Sequence, residues 1–317
     1  MFRFLKRAFR FILILPIIWF AFVVIWGSFI SQKYRKNLVY AKSLGFTDLR
    51  LMEANYISNV ELLIVGSSHA YRGIDPRHFE QHGINTFNLG SSLQSPVQTE
   101  YLLKKYLEKM NPKLVLFEVG YKTFSSDGIE GAMDIIVNSP DVDWDIIEMA
   151  LDVNNISVYN TLAYTFFRKK ILGETRQAYL AEHNDLDEYV PGGFVERKDL
   201  TYVGPQSFKK VVKPLSPLQQ RSFENCLRFL SKNKIKTILI QTPVLQDYYA
   251  SIENIHEFNT YFNKRSNNHY YYNFNNDFYS DTKYFYDHHH LNASGVERFN
   301  QKLIETIRPH LKMLTQK

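Results

Sequence analysis

Glu61-Leu62-Leu63-Ile64-Val65-Gly66-Ser67-Ser68-His69-Ala70 sets the reading of this chain. Four consecutive apolar residues closed by glycine predict a short strand covered on both faces, as in a parallel sheet. Similar runs fall at 86–89, 114–119 and 237–241, bounded by Gly, Asn or Pro. Helical signals lie between them. Asp75 before Pro76 predicts a helix start, with Gly83 at its exit. Ser95-Pro96-Val97-Gln98 reads as a capping box opening a helix that stops before Asn111-Pro112. Ser216-Pro217-Leu218-Gln219 repeats that pattern, and Phe223, Cys226, Leu227 and Leu230 then share one face. Asn292 is expected to cap a last helix with Val296, Phe299, Leu303 and Ile307 inward and Pro309 at its end. Tyr270-Tyr271-Tyr272 fits a further strand with both faces covered. No internal repeat is evident. Strand and helix in alternation predict an α/β domain with a parallel sheet between helical layers.

The first thirty residues are of another kind. Residues 11–30 contain no charge and would span roughly 30 Å as a helix, the thickness of a bilayer core. Arg3, Lys6, Arg7 and Arg10 precede this run; Lys33, Arg35 and Lys36 follow it. The excess on the N-terminal side predicts a single-pass membrane protein with its folded domain outside the cytoplasm. No convincing small-x-small cleavage site follows, so the segment reads as an uncleaved signal anchor. The chain thus divides into a basic tail (1–10), an anchor (11–30), a connector with helical character (31–58) and an α/β domain (59–317). Residues 125–215 are less regular, with helical stretches at 146–151 and 159–171 and a loop at Pro191-Gly192-Gly193-Phe194. They read as an insertion near the substrate crevice, with a lid or recognition role.

The formal net charge of +6 is partly explained by the seven cations flanking the anchor and says little about the folded domain, so nucleic acid is not an expected partner. A hydrophobic share of 45% excludes disorder. Cys226 is the only cysteine, which rules out a disulfide framework.

In an open parallel sheet, residues just past a strand's C-terminal end face the binding crevice. Ser68 is placed there, and Gly66 allows the tight turn that presents backbone N–H groups to an oxyanion. Near the C-terminus, Asp287 and His290 stand three apart just before a helix. One turn can set the carboxylate against the ring Nδ1 and leave Nε2 for Ser68. Serine needs such a base, and the base needs a carboxylate to hold its tautomer. Gly90, after the second strand, can bring another N–H to the same crevice.

These segments resemble the blocks of the SGNH, or GDSL-like, hydrolase superfamily, in its membrane-anchored, envelope-associated form. Gly66-Ser67-Ser68-His69 stands at the first block, Asn88-Leu89-Gly90 at the second, and Asp287-x-x-His290-Leu291 with Asn292 and Gly295 at the last. The resemblance implies a flavodoxin-like three-layer α/β/α sandwich, Ser68 as nucleophile, His290 and Asp287 completing the triad, and Ser68 and Gly90 as oxyanion donors. Two departures stand out. Ser67 replaces the usual first-block Asp. No Asn follows the strand at 114–119, where Gly120-Tyr121-Lys122-Thr123 stands instead. Loss of one oxyanion donor costs roughly 3–4 kcal/mol, so Tyr121, Lys122 or the insertion would have to substitute. The G-x-S-x-G turn of α/β-hydrolases is nearly matched by Gly66-x-Ser68-x-Ala70. That fold places several strands before the serine and separates Asp from His, so it fits worse.

The expected function is a membrane serine esterase or O-acyltransferase acting on acyl esters of envelope or exported polysaccharide, with a membrane acyltransferase as a candidate partner. No cofactor is expected. The alternatives are an accessory binding protein with weak or no turnover, and a lipase-like enzyme facing the cytoplasm. His69, Glu118, Tyr121 and Lys122 are expected substrate contacts. For Glu118 the first reading is a satisfied buried or rim carboxylate, with the substrate contact as the alternative. Consecutive His288, His289 and His290 diverge in direction, and no metal site is expected from them. Asp75 reads as a helix cap and Cys226 as a core residue.

Overall fold

The computed structural model describes residues 2–40, 45–174, 186–198, 200–205, 207–265, 269–275 and 281–315. Parts of the expected insertion and connector (175–185, 199, 206 and 41–44) lie outside them. Among the described residues seven strands are present: β1 (Leu62–Val65), β2 (Thr86–Asn88), β3 (Leu114–Glu118), β4 (Asp187–Val190), β5 (Phe194–Arg197), β6 (Lys236–Gln241) and β7 (Tyr270–Asn273). Five form one sheet in the order β2-β1-β3-β6-β7, and every pairing in it is parallel. With the β4-β5 hairpin set aside, this is the 2-1-3-4-5 order of doubly wound folds.

Side chains alternate across the sheet with period two. Leu63, Val65, Val115, Phe117 and Leu239 enter one apolar layer, filled by helices Pro96–Met110 and Pro217–Lys232. Leu62, Ile64, Leu116, Ile238 and Ile240 enter the other, closed by Val296, Phe299, Leu303 and Ile307 of helix Ala293–Thr315. The expected sandwich is therefore present. Most strand positions are fully buried because helices cover both faces.

Local signals hold with instructive exceptions. Asp75 accepts from the Arg77 N–H and the Ser95–Gln98 box forms. Ser216 precedes its helix without a side-chain cap bond. Gln219 instead reaches away, accepting from the Val97 N–H and donating to Ser126 O. Pro309 does not end the last helix, which runs to Thr315. Leu311 and Leu314 beyond it are buried, so packing outweighs the missing backbone bond. The tyrosine strand β7 is an edge, with Tyr270 half exposed.

Helix Phe2–Phe29 is long and apolar enough to cross a membrane, and it extends back through the basic tail. Its side near residue 23 packs on helix Ile156–Phe166: Val23 and Tyr164 are buried together and Trp19 donates to Asn160 at 3.0 Å. Helices Ile129–Asn138, Trp144–Val153 and Ile156–Phe166, the body of the expected insertion, lie against helix Pro96–Met110 and this N-terminal helix. The hairpin β4-β5 took a different course, joining the sheet edge where the Asn88 N–H donates to Gly192 O. Helix Thr47–Ala54 of the connector is also packed in: Arg50 is fully buried and donates to Gly193 O at 2.8 Å.

Candidate active site

Strand order places the crevice. The chain leaves β1 toward β2 and then returns to β3 on the other side, so the connections leaving the C-terminal ends of β1 and β3 run in opposite directions, a switch point. Val65 pairs with Phe117, which sets Glu118 beside the Gly66 turn. Gly66 has φ +147°, and a Cβ there would meet Glu118 Cβ at 2.6 Å. Only glycine suits that position. Glu118 fills the turn: its Oε2 accepts from both the N–H and the hydroxyl of Ser67, each at 2.9 Å. Ser67 in turn caps the short helix Ser68–Gly73 by accepting from the His69 N–H at 3.3 Å.

Ser68 therefore opens a helix with its hydroxyl partly exposed. Across the crevice, His290 Nε2 lies 2.8 Å from Ser68 Oγ, and His290 Nδ1 lies 2.7 Å from Asp287 Oδ2. Asp287 Oδ1 accepts the backbone N–H groups of His289 and His290, both at 2.8 Å, so the turn pins its own carboxylate. Burial alone would raise the Asp287 carboxyl, yet the contacts from His289 and His290 hold it well below the usual carboxylate range. An ionised carboxylate only accepts, so the His290 proton sits on Nδ1 and Nε2 accepts from the serine hydroxyl. Burial keeps His290 well below the ordinary imidazole range, against the pull of Asp287. At neutral pH it is an unprotonated base. Tyr286 stacks on its ring at 5.4 Å, and the Arg197 guanidinium covers Tyr286 at 4.5 Å.

The remaining predicted residues divide. His69 faces the same space, 5.3 Å from the His290 ring and 5.4 Å from the His289 ring, with Nδ1 3.6 Å from Glu118 Oε1. Lys122 Nζ donates to His289 Nε2 at 2.9 Å, and burial lowers its ammonium from the usual lysine range. Burial likewise pushes His289 down to about 4. His289 Nδ1 comes within 3.0 Å of Asp287 Oδ1, though off the line of a hydrogen bond. Glu118 is tied to the turn through Oε2, while its buried Oε1 makes no hydrogen bond among the described residues and faces His69. Tyr121 is buried against Tyr248 and Phe258, its hydroxyl without a hydrogen bond among the described residues. Gly90 lies against Ala70 and Gly66, but its N–H donates to Asn88 Oδ1 at 3.1 Å, so that bond must open before it serves an oxyanion.

Sequence reasoning missed the cluster of His69 with His289 and His290, whose ligand atoms all lie within 4.8 Å of one another. Nothing local signals a pairing across more than two hundred residues. The set fits a metal poorly, because both His290 nitrogens and His289 Nε2 are already engaged.

Comparison with known proteins adds little. A family model that carries no description matches residues 168–312. No curated protein matches. A crystal structure of a Bacteroides fragilis protein provisionally named an acylhydrolase is similar over 86% of this chain and 100% of its own, at 12% identity and a TM-score of 0.44. A likeness that low carries no argument about activity.

Proposed function

We propose that this chain is a membrane-anchored, SGNH-like serine esterase or O-acyltransferase acting on acyl esters of envelope or exported polysaccharide. The observation supporting it is the unbroken run Ser68–His290–Asp287, with bonds of 2.8 and 2.7 Å. Ser68 Oγ attacks the ester carbonyl while His290 Nε2 takes its proton. The tetrahedral intermediate collapses, His290 returns the proton to the departing alkoxide, and an acyl-Ser68 remains. Water then releases a carboxylic acid, or a sugar hydroxyl takes the acyl group, with His290 again as base. The Ser68 N–H, which makes no hydrogen bond among the described residues, is the first oxyanion donor; Gly90 is the second once freed from Asn88.

A second reading, an accessory binding protein of a membrane acylation system, is favoured by one fact. β3 ends in Glu118 and runs on into Gly120-Tyr121-Lys122-Thr123, with no Asn directly after the strand to supply the third donor. A fluorophosphonate probe separates the two. Wild-type protein should label and Ser68→Ala should not. A folded wild type that stays unlabelled would sink the enzymatic reading and leave the binding role.

A further inference from the structure

Away from Ser68, where helix Phe2–Phe29 meets the folded domain, lies a cavity of about 650 Å³. Its wall is apolar and aromatic: Trp19, Phe22 and Val23 from the helix, Leu38 from the connector and Ile156 from the domain. Its rim is cationic, formed by Lys33, Arg35 and Lys36, and no aspartate or glutamate lines it. Lys33 and Lys36 are exposed. Arg35 differs. Its Nε and Nη1 are buried, with no hydrogen-bond partner among the described residues, and the guanidinium lies 5.7 Å from the Tyr164 ring. Arg35 as a whole is half-buried, and two guanidinium nitrogens held from water without an acceptor carry a cost that an anion would relieve.

We propose that this cavity holds one anionic phospholipid, its phosphate on Arg35 and an acyl chain along Trp19, Phe22 and Val23. Three features of the site agree on that chemistry. The apolar wall belongs to a helix long enough to span the bilayer, so a lipid tail can enter sideways. The cations follow directly after that helix, at the level of lipid headgroups. A planar guanidinium binds phosphate oxygens in pairs, which a lysine cannot do. The inference rests on the membrane anchorage proposed above and is independent of chemistry at Ser68. An occupied cavity would fix the domain's tilt against the membrane through the Trp19–Asn160 contact.

The test uses the full chain in detergent micelles, with retained lipid counted by native mass spectrometry. Phosphatidylglycerol and phosphatidylcholine are offered in equal amounts. Wild-type protein should keep one phosphatidylglycerol per chain and little phosphatidylcholine. Arg35→Gln should weaken retention about tenfold, the order of one lost charge-assisted contact, while Arg35→Lys recovers part of it. The double variant Lys33→Gln/Lys36→Gln should change retention far less. Equal retention of both lipids, or an equal loss in the lysine double variant, would reduce the cavity to ordinary lipid contact and overturn the proposal. Displacement by millimolar inorganic phosphate would make it a free-phosphate site and overturn it too. Protein that leaves the membrane without detergent would refute the anchorage and this inference together. Membrane-bound protein that keeps no lipid would refute this inference alone.

Discussion

At the scale of single residues, Asp287 accepts three hydrogen bonds with two oxygens. Oδ1 is held by two backbone N–H groups and Oδ2 fixes the His290 proton on Nδ1. Asp287→Asn keeps the size but offers an amide that donates toward Nδ1 as readily as it accepts. His290 then takes the tautomer that cannot accept from Ser68. An esterase assay should show kcat falling about 10⁴-fold with a smaller change in KM, the size expected when a triad carboxylate is lost with its geometry intact. A loss below tenfold would mean that Asp287 only shapes the turn. The pairing was legible in the sequence because Asp287 and His290 share one turn. Ser68 was legible only through its place after a strand. The contacts of His69 with His289, and of Lys122 with His289, were not legible, since nothing near either residue encodes the other.

At the scale of elements, the site depends on how β1 hands over to the helix Ser68–Gly73. Gly66 leaves room for Glu118, and Glu118 ties the Ser67 backbone and hydroxyl to the end of β3. Gly66→Ala puts a Cβ 2.6 Å from Glu118 Cβ, in a backbone region that alanine avoids. Neither group is a flexible tip, so the turn has to move. We expect a loss of about 2–3 kcal/mol in urea unfolding and a fluorophosphonate labelling rate that falls with it. Unchanged stability would show that the turn is looser than its geometry suggests. The four apolar strand runs were readable from composition alone because both sheet faces are covered. The failures were tertiary. Ser216 could have formed a capping box, but Gln219 is drawn to Val97 and Ser126. Pro309 could have ended the last helix, but Leu311 and Leu314 are held by the core. The β4-β5 hairpin has four-residue strands of mixed polarity, too short for a periodic signal.

At the scale of the whole molecule, the crevice gathers titratable groups at the sheet's C-terminal end and keeps them from water. Burial lowers His288, His289 and His290 there, and His269 and His310 elsewhere. An unfolded histidine takes up its proton near pH 6.5, whereas these remain neutral to lower pH. As pH falls through 6.5 the unfolded chain therefore binds more protons than the folded one, and stability drops. His289, folded at about 4, contributes a loss of about 2 kcal/mol by pH 5. Asp134 opposes this. Burial raises it to about 6, so it takes up its proton in the folded state first and returns about 1 kcal/mol between pH 7 and 5. Asp287 gives no relief in that window, because its depressed carboxyl stays ionised. Asp152, which burial also raises, acts in the same sense as Asp134. With five histidines against these two carboxyls, Tm of the full chain in detergent should be lower at pH 5 than at pH 7. In His289→Gln, whose side chain has no proton to take up, the difference should shrink. A Tm that holds or rises between pH 7 and 5 would mean that these imidazoles are wetter than the packing allows. His290 would then be protonated at the pH where the proposed chemistry needs it as a base.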